Sequence, residues 1–195
     1  GEMHSALSVL VGADAQGLSA STVARLKRQW EQEYQAWCTR RLDQDQWVYL
    51  WVDGIYSGLR AEDTKLCALV VIGVNAQGHK QFLAIEDGVR ESTQSWREVL
   101  LGLKGRGMNC PQLAIGDGAM GFWSALDELY PQSKQQRCWV HKTANVLNCV
   151  PKSVQPKVKD ALHQIWQADT QSNAHQAFDR FEQLFAAKYP KAVQC

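Results

Sequence analysis

Two Asp-Gly pairs stand where this chain could do chemistry. The run from Trp47 to Tyr56, WVYLWVDGIY, turns from aromatic and β-branched residues into Asp53-Gly54, and the shorter run Leu113-Ala114-Ile115-Gly116 turns into Asp117-Gly118. Residues 47 to 53 read as a buried strand. Alternation along a strand predicts that Trp47, Tyr49, Trp51 and Asp53 share a face, with Asp53 at the carboxyl end, where α/β sheets commonly place their sites. Gly54 lets the backbone bend or approach a ligand. If the two strands are neighbours, Asp53 and Asp117 converge. Two carboxylates without an obvious cationic partner repel unless a divalent metal sits between them. An Asp-Gly pair after a strand is also a common turn, so from spacing alone both readings stay open. A third pair, Asp87-Gly88, directly follows a strand pattern and precedes a helix, and is read as structural.

The elements that must position these residues follow from the patterns around them. The strand from Trp47 runs into residues 54–60. A turn at Ala61–Thr64, a strand over Leu66–Val74, a tight turn at Asn75-Ala76-Gln77-Gly78 and a strand over Lys80–Glu86 complete an antiparallel meander. Ser92 or Thr93 caps a helix reaching Lys104, with Trp96, Val99, Leu100 and Leu103 inward and Gly105 and Gly107 ending it. A strand at 112–117, a helix from Ala119 to Leu129, a fifth strand over Gln135–Val140 and a helix over His141–Leu147 follow. The order β-β-β-α-β-α-β-α predicts an α/β fold with a mixed five-stranded sheet, the ribonuclease H-like layout, with first and fourth strands adjacent.

On either side the pattern is helical. Residues 2–11 and the glycine turn 12–17 lead into a helix opened by Ser19 or Ser21. Its Val23, Leu26, Trp30, Tyr34 and Trp37 form an apolar stripe. Residues 21–41 hold five basic residues, Arg25, Lys27, Arg28, Arg40 and Arg41, against Glu31 and Glu33, a local charge of 5 − 2 = +3. This pattern suggests a partial helix-turn-helix over 1–46 with Arg25, Lys27 and Arg28 toward DNA; a helix packed on the main domain with a solvated basic face is the alternative. The core is expected over 47–150. Over 151–195 no strand pattern remains. Val154, Val158, Leu162, Ile165 and Trp166 form one helical stripe, Ala174, Ala177, Phe178, Phe181, Leu184 and Phe185 another, and Pro190 is expected to end it.

The bulk composition is that of an ordinary globular chain. It has 195 residues, 45% hydrophobic and 21% charged, with net charge +1, which neither favours nor excludes a nucleic-acid partner. The six cysteines include no CxxC pair, and the expectation is a reduced, intracellular state. No run reaches the roughly 20 apolar residues of a membrane span, and no signal peptide is evident. Cys138 and His141 form C-x-x-H, but structural zinc needs four ligands and no other His or Cys completes a set at usual spacing.

Asp53-Gly54-Ile55-Tyr56, the run Asp87-Gly88-Val89-Arg90-Glu91-Ser92 with Ser95-Trp96, Gly116-Asp117-Gly118-Ala119 with Phe122-Trp123, and Arg137-Cys138-Trp139-Val140-His141-Lys142 together resemble the Mutator-type transposases of bacterial insertion sequences, within the DDE, ribonuclease H-like superfamily. The resemblance covers nearly the whole chain, including the Gly17-Leu18-Ser19 helix start. It implies metal-dependent DNA cleavage and strand transfer on Mg²⁺, with Mn²⁺ as substitute, acting on terminal inverted repeats and target DNA. It further implies a homo-oligomer on DNA, in the bacterial cytoplasm with the nucleoid, and no membrane. Asp53 and Asp117 are then the first two catalytic carboxylates and metal ligands, Asp53 bridging two ions and Asp117 holding one. The third, a Glu in a Thr-Asn-x-Ile-Glu-Ser type stretch after a helical insertion, has no counterpart here, and Glu182 does not fill its place. Residues 151–195 are expected to begin that insertion, both ends look cut, and the chain alone should be inactive. Cys138 and His141 recur in the family as an accessory motif near the active site. A DNA-binding remnant or regulator, and a different ribonuclease H-like nuclease, are the competing readings.

Overall fold

The computed structural model describes residues 19–61, 64–88, 91–118 and 120–195. The expected first helix and glycine turn lie outside them, as does part of the turn at 61–64. The described strands are β1 (Trp47–Ala61), β2 (Thr64–Asn75), β3 (Lys80–Gly88), β4 (Leu113–Gly116) and β5 (Lys134–Arg137). They form one sheet in the order β3-β2-β1-β4-β5. β1, β2 and β3 pair antiparallel, while β4 and β5 add in parallel on the other side of β1. This is the ribonuclease H-like layout.

The meander closes as its turn chemistry requires. Gly78 takes φ +82°, in the left-handed region, and Asn75 Oδ1 accepts from the backbone N–H groups of Gln77 and His79 at 3.1 and 2.9 Å. Asn75 Nδ2 donates to Asp45 at 2.7 Å, so this buried amide is satisfied.

One expectation about β1 fails at its start. The β1–β2 register shifts between Trp47 and Tyr49. A bulge adds a residue and flips what precedes it to the other face. Trp47 therefore joins Leu50 and Val52 in the core, while Tyr49 and Asp53 are exposed on the opposite face and Trp51 is half-buried there.

Two helices cover the core face: α2 (Thr93–Gly105) and α3 (Met120–Leu129), following α1 (Ala20–Thr39) in the chain. Ser92 caps α2, its Oγ accepting from the Ser95 N–H at 3.1 Å. Trp96, Val99, Leu100 and Leu103 are buried as expected, and Trp96 meets Phe122 of α3 edge to face at 5.2 Å. Tyr49, Ile55, Phe82 and Ile85 remain exposed on the other face.

The fifth strand is shorter than expected. It ends at Arg137, and Cys138 becomes the N-cap residue of α4 (Trp139–Asn148). The Cys138 N–H donates to the Gly116 carbonyl at 2.7 Å, and the Cys138 carbonyl accepts from the Lys142 N–H at 2.9 Å. The first bond is the last across the sheet edge and the second starts a helix, so Trp139 and Val140 are helical.

α5 (Gln155–Trp166), α6 (Gln171–Phe185) and α7 (Pro190–Gln194) pack with the end of α4 around Val146, Val158, Leu162, Phe181 and Phe185. Two members of the expected α6 stripe, Phe178 and Leu184, are exposed, because they fall off the narrow arc that meets α5. Pro190 opens α7 rather than ending the helical run, as the first helical position tolerates its missing N–H.

α1 is capped by Ser19, which accepts from the Thr22 N–H at 3.2 Å. None of its residues is fully buried, and Trp30 of its apolar stripe is 56% exposed. Its carboxyl half is tied to β3 and to the end of α2. The Tyr34 hydroxyl donates to the Ile85 carbonyl at 3.1 Å, and Arg106 donates to the carbonyls of Arg40, Leu83 and Trp37 at 2.8, 2.6 and 3.3 Å.

The contact between α3 and the start of α2 tolerates only glycine. A Cβ at Gly121 would stand 2.7 Å from the Glu91 carbonyl and 2.8 Å from backbone atoms of Ser92 and Thr93. Gly121→Ala should therefore lower unfolding stability by roughly 1–3 kcal/mol, as overpacking does, despite alanine's better helix propensity. Urea denaturation measures it; an unchanged midpoint would mean the two backbones are not locked together.

Candidate active site

Asp53 and Asp117 come together through strand register. The parallel pairs are Tyr49↔Leu113, Leu50↔Ala114 and Trp51↔Ile115, each separated by 64 residues, and 117 − 53 is also 64. The ladder stops two residues short of the aspartates, and the same offset carried on would put Asp53 against Asp117; both act on the charge of Glu91. Asp53 is not at the strand's end as expected, because β1 continues through it, paired with Val70, to Ala61. Asp53 is exposed and Asp117 half-buried, and Asp117 Oδ1 accepts from the Gly118 N–H at 2.6 Å. The described ion pairs are Arg41–Asp43 and Arg97–Glu128. Neither aspartate has a cationic partner among the described residues.

Cys138 and His141 line the same small pocket as Asp53, together with Trp51, Val52, Val70 and Ile115. Position i and i+3 at a helix start face one way, so the corrected helical placement of Cys138 is what aims both side chains at the strand ends. His141 Nδ1 is buried without a hydrogen-bond partner.

A third carboxylate stands at the site that motif reading did not single out. Glu91 lies between β3 and α2, with its carboxyl packed under Gly54. A Cβ at Gly54 would meet its Cδ at 2.2 Å and its Oε1 at 2.3 Å. Burial raises the Glu91 pKa above the usual carboxylate range, and Asp53 and then Asp117 raise it further. Hydrogen bonding to the Tyr56 hydroxyl and the nearness of His141 oppose the rise. Tyr56 and Cys67, which pair across β1 and β2, are both pushed up, chiefly by burial. Glu91 sits in the quoted Asp-Gly-Val-Arg-Glu-Ser run, yet nothing local separates it from an ordinary residue before a helix cap. The one signal was Gly54, whose missing side chain makes the room it fills.

The donors suit a hard divalent cation: one exposed and one half-buried carboxylate, neither ion-paired among the described residues. Among the described residues, no three or more His, Cys, Asp or Glu side chains are grouped so that they could hold a metal ion. Mg²⁺ needs few protein ligands, because it keeps water and substrate oxygens in its shell. None of the six cysteines is disulfide-bonded.

Arg25, Lys27 and Arg28 do not join this site. All three are exposed on α1, which is anchored to β3 at the far edge of the sheet from β4. No described helix is long and apolar enough to cross a membrane.

The chain is 50% identical over 192 residues to the transposase for insertion sequence element IST2 of Acidithiobacillus ferrooxidans, covering 98% of this chain and 65% of that protein. It is 50% identical over 188 residues to the transposase for IS6120 of Mycolicibacterium smegmatis, covering 96% of this chain and 58% of that protein. The chain thus spans about three fifths of the length of these relatives. A solved HTLV-2 integrase catalytic core domain in complex with magnesium superposes over 67% of this chain and 81% of its own at 12% identity and TM-score 0.33, too loosely to add to the topology. The family model "Transposase, Mutator family" matches residues 1–195. On that match and those identities, the chain belongs to the Mutator family of transposases.

Proposed function

We propose that this chain carries the first part of the catalytic centre of an insertion-sequence transposase, cutting DNA at the ends of its element and joining them to a target in a DDE-type, metal-dependent reaction. The observation that supports this reading is the 64-residue offset of the β1–β4 pairs, which, carried two residues further, would bring two carboxylates without a cationic partner among the described residues against each other. Asp53 and Asp117 would hold Mg²⁺, with Mn²⁺ as substitute. When bound, such ions activate the attacking oxygen and stabilise the leaving one in phosphodiester displacement. The protein's own part is positional. Rigid strands fix Asp53 and Asp117, Cys138 and His141 wall the pocket beside Asp53, and the exposed Arg25, Lys27 and Arg28 of α1 approach the DNA backbone away from the reacting phosphate. The protein works as an oligomer on DNA, in the cytoplasm beside the nucleoid.

Manganese titration followed by electron paramagnetic resonance tests the carboxylate pair directly. Asp53→Asn and Asp117→Asn should each weaken Mn²⁺ binding by at least about tenfold while leaving the circular dichroism spectrum intact. Binding equal to the parent's in both variants would remove the metal reading.

Glu91 sets a pH dependence of the metal-free chain. Its folded pKa lies above the unfolded value, so the folded state holds the proton more tightly. Its contribution is most favourable below the unfolded pKa and declines as pH rises through the folded pKa. In EDTA, Glu91→Gln should therefore melt higher than the parent near pH 7, and the gap should close toward pH 4. A gap independent of pH would show that neither burial nor the two aspartates raise the Glu91 pKa.

A further inference from the structure

Beyond the carboxylates, Arg137 lies beside the site with no carboxylate partner among the described residues. Arg137 ends β5, where it pairs with Gly116, and its guanidinium lies across Gly118, the residue after Asp117. A Cβ at Gly118 would come 2.4 Å from Nη2, 2.7 Å from Cζ and 3.0 Å from Nε. Glycine at 118 is thus what lets the guanidinium reach the rim of the site. Among the described residues no carboxylate pairs with it, unlike Arg97, held by Glu128 at 2.7 Å, or Arg106, consumed by three carbonyls.

The surface beside Arg137 has a consistent chemistry. A shallow depression is lined by Gln135, Gln136, Arg137, Trp139 and Lys142, two cations, two amides and an indole with no acid among them. Trp139 is 37% exposed, and the edge-to-face contact with Trp166 at 5.2 Å steadies its ring. Trp166 is itself stacked on His163 at 4.7 Å. Gln135 also donates to Asp127, and Lys142 to the backbone oxygen of Cys195. A planar guanidinium matches a phosphate with two parallel hydrogen bonds, and an exposed, braced aromatic beside cations is a stacking platform for an unpaired base.

We infer that the Arg137–Trp139 depression binds a DNA single strand next to the cut, Arg137 on a backbone phosphate and Trp139 on a base. This rests on the reading of Asp53 and Asp117 as the reaction centre, and it assigns the strand a direction of exit, along the β5 edge of the sheet.

Fluorescence anisotropy of the full 195-residue chain with a labelled 16-nucleotide oligothymidylate, measured over a series of salt concentrations, tests it. Arg137→Ala should weaken binding and lower the slope of log K against log[salt] by about one. Trp139→Ala should weaken it by roughly 5–100-fold with the slope kept, and Trp139→Phe should restore most of the loss. Gly118→Ala keeps the arginine but displaces it, and should reproduce part of the Arg137→Ala loss. Arg97→Ala is the control and should bind as the parent does. The inference is overturned if Arg137→Ala and Trp139→Ala bind as the parent, if the parent does not bind the oligonucleotide, or if polyglutamate of equal charge displaces it equally well. Manganese binding by the parent, lost in Asp53→Asn, separates failure of this surface from failure of the catalytic reading.

Discussion

The parallel pairing of β1 with β4 is the constraint on which the rest depends. Alone, Asp53 is an exposed residue within β1 and Asp117 the residue after β4. Only the offset that sets Leu50 against Ala114 also sets Asp53 against Asp117. That offset is held from the core side, because Leu50, Val52 and Ala114 are buried together under α2 and α3. A slip of β4 by one residue against β1 would turn Ala114 outward and Asp117 inward. The hydrophobic effect that fixes the register therefore also holds two like charges in proximity. The repulsion is tolerated because Asp53 faces solvent, where charge interactions are weak.

The same logic explains where glycine is required. Gly54 within β1, Gly118 after β4 and Gly121 in α3 each leave room for an atom of another segment: the Glu91 carboxyl, the Arg137 guanidinium and the Glu91 backbone. The two Asp-Gly pairs are thus more than turns. In each the aspartate points to the open face and the missing side chain of the glycine admits a charged group close by, an acid at one strand and a base at the other.

Much of this was legible in the sequence because it depends on local pattern. The meander, the Ser92 cap, the inner face of α2 and the adjacency of the first and fourth strands follow from periodicity, turn chemistry and element order. What was not legible depends on contacts made elsewhere. The bulge after Trp47 has no marker in WVYLWVDGIY, since Trp47 suits either face, and only the depth of the core around Gly73 and Leu83 decides that it turns inward. Gln135–Val140 looks like a strand by composition, yet β5 is an edge that ends when Cys138 bonds to Gly116, and Trp139 is left at the surface. Glu91 was hidden because its importance comes from the space at Gly54, some 37 residues earlier in the chain.

These displaced expectations share a location and a direction. Ending β5 early turns Cys138 and His141 toward Asp53, and the same turn exposes Trp139 on the other side of the helix start. One backbone event therefore forms both the wall of the carboxylate pocket and the platform beside Arg137. A strand continuing through Val140 would alternate these side chains across the sheet and separate Cys138 from His141, giving neither. The helix start after Arg137 thus links the site that would hold the cation to the surface that would hold the strand it acts on. Substitutions that lengthen β5 should disturb the two together.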